Sequence, residues 1–143
     1  TQFTYVTRAI SQLELYGFFS MAAFAAIYFI LPRLLQTAWP SAALITAHFW
    51  CATVGLVLLS VSLLIGGWLQ GQALNDVERY PEFVDVARRT APFLIAQSLA
   101  LVLLAVSHLA FLVNLVKLFF QPRAAATSSR VVFRAPPALE VAS

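Results

Sequence analysis

The chain has few charged residues. Asp, Glu, Lys and Arg make up 10% of its 143 residues, whereas an ordinary soluble domain has about 25%. A surface so poor in charge cannot be hydrated, which excludes the soluble globular classes. Cys51 is the single cysteine, so neither an internal disulfide nor a thiolate metal cluster can form within the chain. Although the net charge is +3, the basic residues adjoin hydrophobic segments, so we expect contact with lipid and no binding of nucleic acid.

Long uncharged stretches make up most of the sequence. Hydrophobic residues account for 61% of the chain and the mean hydropathy is +0.83. An α-helix rises about 1.5 Å per residue, so each long run can cross a hydrocarbon core of about 30 Å. Ser41 is a suitable N-cap for the second helix. The sequence therefore predicts an all-α, integral membrane three-helix bundle with spans at about 5–31, 42–69 and 92–120, a polar loop at 70–90 and a disordered cytoplasmic tail at 122–143.

The distribution of charge predicts the orientation. With three spans, the N-terminus and the 70–90 loop lie on one side of the membrane, and the 32–41 link and the tail lie on the other. The first side has four basic and five acidic residues, whereas the second has one acidic residue, Glu140, and five basic ones: Arg33, Lys117, Arg123, Arg130 and Arg134. Basic residues near span ends mark the cytoplasmic side, so we expect the C-terminus there. Residue 1 is Thr and no cleavable signal is evident, so we expect a mature subunit or one piece of a longer polypeptide.

Several short motifs occur in a familiar order. They are LYGFFSM at 15–21, IYFILPRL at 27–34, WPS at 39–41, HFW at 48–50 and GGWLQG at 66–71. Together they resemble the C-terminal three helices of the catalytic subunit of cbb3-type (C-family) heme-copper cytochrome c oxidases. The third span agrees mainly at Asn114 and in general character. The resemblance implies a respiratory electron-transport protein of the bacterial inner membrane, with a periplasmic N-terminus and a cytoplasmic C-terminus.

The sequence departs from that family where heme would bind. The resemblance implies a His-x-His pair on the first helix, with one imidazole for each of two hemes, and in this chain the pair falls on Ile10 and Gln12. Isoleucine has no lone pair for iron, and a glutamine amide is a poor heme ligand. The family's remaining ligands lie on helices upstream of the resembling region. We therefore expect no cofactor bound by this chain alone, and heme in partner chains.

Three polar residues within the spans have alternative interpretations. His108 is either an axial ligand of heme or a chlorin, or a neutral imidazole bonded to a serine or a backbone carbonyl. For His48 we expect a hydrogen bond near the membrane interface, beside Trp50. Glu14 is either a proton carrier, for which only Ser11 and Ser20 lie nearby, or the favoured alternative, one half of an ion pair with Arg8 or with a partner chain.

Small residues in the first two spans predict close helix packing. In lipid, helix association depends on close approach of the backbones. The candidate packing positions, against neighbouring helices or partner chains, are Gly17, Ala22, Ala26, Gly55, Gly66 and Gly67. We expect the partners to be other integral membrane subunits of an electron-transfer complex.

Three functions are consistent with these features. The leading hypothesis is a non-catalytic, heme-free accessory subunit that stabilises a respiratory complex. The second is the C-terminal piece of a split oxidase-like enzyme that a partner chain completes. The third is a helix bundle that binds a pigment or quinone through His108.

Overall fold

The computed structural model describes residues 4–121 and has three long helices in that part of the chain. They are α1 (Tyr5–Leu35), α2 (Ala42–Asn75) and α3 (Phe83–Phe119). Each is apolar enough and long enough to cross a membrane. The prediction of an all-α membrane protein with three spans is confirmed, whereas the predicted tail at 122–143 lies outside the described residues.

The polar connection between α2 and α3 is shorter than the predicted 70–90 loop. Helix α2 continues to Asn75 and α3 begins at Phe83, so only residues 76–82 are non-helical. The charged residues at 85–89 are compatible with helix, because charge ends a membrane span without ending the backbone hydrogen bonding. Within the connection, Asp76 Oδ1 accepts a hydrogen bond from the Arg79 amide at 3.3 Å.

Helix α1 changes its backbone geometry partway along. Residues Tyr5–Gln12 and Met21–Leu35 are α-helical, and Leu13–Ser20 between them is π-helical. In a π-helix each amide bonds five residues back instead of four, which widens the turn and changes which side chains face a neighbour. The Ser20 hydroxyl also donates to the carbonyl five residues back, that of Leu15, at 2.9 Å. The hydropathy pattern of the sequence did not indicate this segment.

Helix α1 continues past Pro32, where the sequence predicted its end. A proline lacks the amide hydrogen that would bond to the carbonyl four residues back, here that of Tyr28. The Trp39 indole donates to this carbonyl at 3.0 Å. The helix ends at Leu35, and Gln36 follows in the left-handed conformation with φ of 51°. Trp39 therefore provides the hydrogen bond that Pro32 cannot.

Helix α2 lies between the other two helices. The Ser41 hydroxyl accepts the Leu44 amide hydrogen at 3.3 Å, which confirms the predicted N-cap. A buried core joins the three helices, formed by Ala9, Leu59, Leu63, Ala100 and Leu104. Helices α2 and α3 pack along their length, but no Cα atom in Met21–Leu35 lies within 8 Å of either of them. The first half of α1 is therefore packed on α2, and its second half diverges.

Candidate functional site

Ile10 and Gln12, where the resemblance implies a histidine pair, face different surroundings. Ile10 is 51% exposed and points away from α2. Gln12 is half-buried, and its Oε1 atom is buried without a hydrogen-bond partner within residues 4–121. Residues two apart on a helix face nearly opposite directions, as a pair that ligates two hemes requires. The backbone arrangement therefore remains, but neither side chain offers an imidazole.

An aromatic cluster occupies the space where α1 diverges. We call Phe24, Tyr28, His48, His108 and Phe111 the histidine cluster. The Tyr28 hydroxyl and His48 Nδ1 are 3.0 Å apart, within hydrogen-bond distance. The Phe24 ring makes edge contacts with both imidazoles, with centroid distances of 4.6 Å to His48 and 5.3 Å to His108. Phe24 and Tyr28 therefore connect the divergent half of α1 to α2 and α3, although its backbone lies far from theirs.

His48 is one of the most buried polar side chains in the described part of the protein. It is 3% exposed, and its Nε2 atom has no hydrogen-bond partner within residues 4–121. Its backbone carbonyl accepts the Ser107 hydroxyl at 3.0 Å, which joins α2 to α3. His48 therefore has a hydrogen bond, as predicted, but its partner is Tyr28, and it is deeply buried in the bundle.

His108 bonds to its own helix. Its Nδ1 atom lies 2.5 Å from the Leu104 carbonyl oxygen. A carbonyl only accepts hydrogen bonds, so Nδ1 carries the hydrogen and Nε2 carries the lone pair in the neutral ring. This is the structural alternative considered for His108, although a ligating histidine often makes the same bond. The His48 and His108 centroids are 6.2 Å apart, and residues 4–121 contain no group of three His, Cys, Asp or Glu side chains able to hold a metal ion.

A cleft of about 450 Å³ opens beside the histidine cluster. Its walls come from the divergent half of α1, including Met21 and Tyr28, and from the first part of α2, including His48 and Phe49. Because the walls are mainly apolar, the chemistry favours a hydrocarbon occupant.

The glycine positions predicted for packing lie at close helix contacts. A Cβ atom on Gly67 would lie 2.8 Å from the Tyr5 carbonyl carbon, and one on Gly66 would lie 2.8 Å from Phe93 Cβ. At Gly55 the nearest atom would be Leu104 Cγ at 3.0 Å. Gly67 therefore marks the crossing of α1 and α2, and the other two mark the contact between α2 and α3.

The remaining packing positions differ from these. A Cβ on Gly17 would meet Leu13 of its own helix at 3.1 Å and Leu56 of α2 at 3.4 Å. Ala22 and Ala26 are exposed and contact neither of the other helices closely. Close packing at these two alanines is therefore absent within residues 4–121.

Sequence reasoning missed two features of this region. Tyr28 and Phe24 were not identified as partners of the histidines, because their contacts depend on the angle at which α1 diverges. Trp39 was noted only as part of a motif, although Pro32 four residues after Tyr28 is a usable signal, since it leaves a carbonyl that needs another donor.

The fold and the positions of its polar groups define a multi-pass membrane protein with an unpaired outer helix face. The chain belongs to the family described as Cytochrome C and Quinol oxidase polypeptide I, which matches residues 1–103. Members of that family are subunits of respiratory oxidase complexes.

Two curated relatives match part of the chain. It is 36% identical over 64 residues to a Cbb3-type cytochrome c oxidase subunit CcoN1 of Stutzerimonas stutzeri, covering 42% of this chain and 14% of that protein. It is 33% identical over 63 residues to a Cytochrome c oxidase subunit 1 of Rhodobacter capsulatus, covering 43% of this chain and 12% of that protein. The chain therefore spans about one-seventh or less of the length of these relatives. No solved structure matches.

The heme that this family implies does not fit the corresponding positions here. Ile10 presents only hydrocarbon, and half of its surface is exposed on the outside of the described helices. Gln12 offers only an amide, which lacks the imidazole nitrogen that heme iron binds in this class. Neither residue can therefore replace the histidine pair.

Proposed function

We propose that this chain is a non-catalytic, heme-free oxidase-like accessory subunit that packs in and stabilises a membrane electron-transfer complex. The proposal rests on the residues Ile10 and Gln12, which stand where the resemblance implies a histidine pair, on a helix with the resembling motifs. An apolar side chain and an amide at these positions cannot ligate iron, whereas the helix can still pack against other chains.

The open arrangement of the helices supports a role within a larger assembly. Helix α1 is exposed along its outer face, where Phe18 is 68% exposed and Phe29 is 62% exposed. Close packing of small residues gives membrane helices an advantage over contact with lipid. Ala22 and Ala26 offer such a surface to a neighbouring subunit, because neither of the other two described helices covers it.

The more detailed relationship is to the cbb3-type oxidases. One of the two relatives is of this type, and the motifs between 15 and 71 resemble the C-terminal three helices of its catalytic subunit. We infer from this relationship that heme resides in partner chains and that the complex lies in the bacterial inner membrane.

The pyridine hemochrome spectrum tests the heme-free role. The tagged full chain is purified in mild detergent with its native complex, and the subunit is then separated under conditions that retain heme b. We expect heme in the complex and less than stoichiometric heme in the isolated subunit. Stoichiometric heme b in the isolated subunit would refute the heme-free proposal. If the wild-type chain purifies without any heme-containing subunit, the accessory role is refuted.

A second candidate is the C-terminal piece of a split heme-copper oxidase-like enzyme. The uncovered side of α1 favours it, because a partner chain that completes the helix bundle would cover that side. In this case the chain is essential for the reaction although it ligates no heme. Its removal would abolish oxygen reduction in membranes with normal heme content, whereas loss of an accessory subunit would lower the stability of the complex and leave turnover per assembled complex unchanged.

A further inference from the structure

Glu14 lies inside the first membrane span, about one third of the way along Tyr5–Leu35. A Cβ atom on Gly17 would be 3.4 Å from Leu56 Cδ2, and one on Gly67 would be 2.8 Å from the Tyr5 carbonyl carbon, so α1 and α2 are antiparallel. Glu14 is three residues before Gly17, which puts it about one helical turn further out, near the level of Leu59. Because α2 has no charged residue in Ala42–Asn75, Leu59 is at the middle of its uncharged stretch.

The carboxyl group of Glu14 has no partner among the described residues. The side chain is exposed on the side of α1 opposite to the half-buried Gln12. Within residues 4–121 it makes no salt bridge and no hydrogen bond. Arg8, the partner considered from the sequence, is six residues away, a separation of about 9 Å along the axis.

An exposed carboxyl group at this depth is unfavourable in lipid. Acidic residues within membrane spans usually face another protein segment and pair with a group of opposite charge. The surrounding surface is suitable for a helix, since Ser11 and Ala22 on the exposed side of α1 are small. Because the Glu14 carboxyl group lacks a partner within residues 4–121, this surface favours a helix that carries a basic group. Small residues alone would not give this preference.

A second copy of this chain cannot supply the missing charge. Two copies in one membrane have the same orientation, so a symmetric pair of α1 helices would place one Glu14 at the same depth as the other. The basic residues in the described part of the chain lie toward the ends of the spans or in the connection: Arg8, Arg33, Arg79, Arg88, Arg89 and Lys117. Within residues 4–121, therefore, no basic residue of a second copy lies at the depth of Glu14, which favours a different chain as the partner.

We infer that the face of α1 around Glu14 binds a transmembrane helix of another subunit, and that this helix carries an Arg or Lys at the depth of Glu14. The inference rests on the proposed role as a subunit of a complex and specifies the contact. A buried pair of this kind fixes the depth and rotation of the two helices, because shifting either one leaves a charge unpaired in hydrocarbon.

Site-specific photo-crosslinking in native membranes tests the contact. Benzoylphenylalanine replaces Phe18, which is 68% exposed and one turn from Glu14, in the tagged full chain. The crosslinked peptide is identified by mass spectrometry. We expect a transmembrane segment of another subunit with an Arg or Lys within one helical turn of the attachment point.

Charge variants connect that crosslink to Glu14. Glu14→Gln keeps the side-chain shape and is expected to lower the adduct yield about tenfold, the effect of losing one charge-assisted contact. Glu78→Gln removes an exposed carboxylate in the 76–82 connection and is expected to have no effect. Glu14→Lys should abolish the adduct, and replacing the partner's basic residue by Glu should restore it. The amount of tagged chain in the membrane controls for insertion.

The outcomes separate this inference from the proposed function. An adduct with lipid, with a second copy or with a segment lacking a basic residue would overturn the inference, as would an unchanged yield with Glu14→Gln. If the wild-type chain co-purifies with heme-containing subunits in those cases, the accessory role stands. If the wild-type chain does not co-purify with them, the accessory role itself fails.

Discussion

Trp39 lies beyond the end of α1 but completes that helix's hydrogen bonding. Pro32 provides no amide hydrogen for the Tyr28 carbonyl, and the Trp39 indole bonds to it at 3.0 Å. Trp39→Phe keeps most of the apolar contact and removes the donor. We expect it to lower the free energy of unfolding in detergent by about 1 kcal/mol.

A double-mutant cycle isolates this hydrogen bond. In a Pro32→Ala background the new amide can bond to the Tyr28 carbonyl, so Trp39→Phe should then lower the free energy of unfolding much less. Equal effects in the two backgrounds would show that Trp39 stabilises the protein by packing alone.

The hydroxyl of Tyr28 is the polar partner of His48 in the histidine cluster. Tyr28→Phe leaves the ring in place and both ring nitrogens of His48 without partners, since Nε2 already has none within residues 4–121. We expect a loss of about 1 kcal/mol in the free energy of unfolding. Tyr16→Phe is the matched control, because the Tyr16 hydroxyl makes no hydrogen bond within the described residues. A loss of similar size in both variants would contradict a specific role of the Tyr28 hydroxyl.

For individual residues, local roles could be predicted from the sequence better than contacts between helices. It indicated that His48 forms a hydrogen bond and that Ser41 caps α2, because both roles depend on nearby positions. It gave no indication that Tyr28 contacts His48, since this contact depends on where the divergent half of α1 lies. The placement of Glu14 near the level of Leu59 likewise required the register of α1 against α2.

At the scale of helices, Gly67 sets the distance between α1 and α2. A Cβ at Gly67 would meet the backbone of Tyr5 and Val6, which cannot move aside as a flexible side chain can. Gly67→Ala should therefore separate the first half of α1 from α2 and lower the free energy of unfolding by about 1–3 kcal/mol.

Gly71 provides the matched control on the same helix. A Cβ there would have only Thr4 Cγ2 within 4 Å, at 3.6 Å. Gly71→Ala should leave the stability unchanged or raise it by up to about 1 kcal/mol, because alanine favours helix. Spin labels on α1 and α2 measure the separation, and an unchanged distance in Gly67→Ala would show that α1 is not held at this crossing.

The helices themselves could be predicted well, because long uncharged runs have few alternatives in a membrane. Their ends could not, since residues 83–90 continue the helix outside the hydrophobic run. The π-helical segment Leu13–Ser20 was also missed, because hydropathy does not distinguish the 3.6 residues per turn of an α-helix from a slightly wider turn.

At the scale of the whole molecule, the two ends of the bundle differ in charge. The 76–82 connection and the start of α3 contain four acidic residues, Asp76, Glu78, Glu82 and Asp85. The opposite end has Arg33 at the end of α1 and Lys117 in the last turn of α3, and no acidic residue in the 36–41 link. The connection end also carries basic residues, Arg8, Arg79, Arg88 and Arg89, together with these carboxylates. Because Arg33 and Lys117 have no acidic neighbour at their end of the bundle within residues 4–121, and because the family resemblance implies the same orientation, we propose that the link faces the cytoplasm and the connection faces the periplasm.

Cysteine labelling tests this orientation directly. Single cysteines are introduced by Val77→Cys in the connection and Ala38→Cys in the link, both exposed positions, in a Cys51→Ala background. A maleimide that does not cross the inner membrane should label Val77→Cys in spheroplasts and leave Ala38→Cys unlabelled, because only the first faces the outside. Both should react after detergent permeabilisation, which shows that each thiol is accessible. The reverse labelling pattern would contradict the proposed orientation and show that the link faces the periplasm.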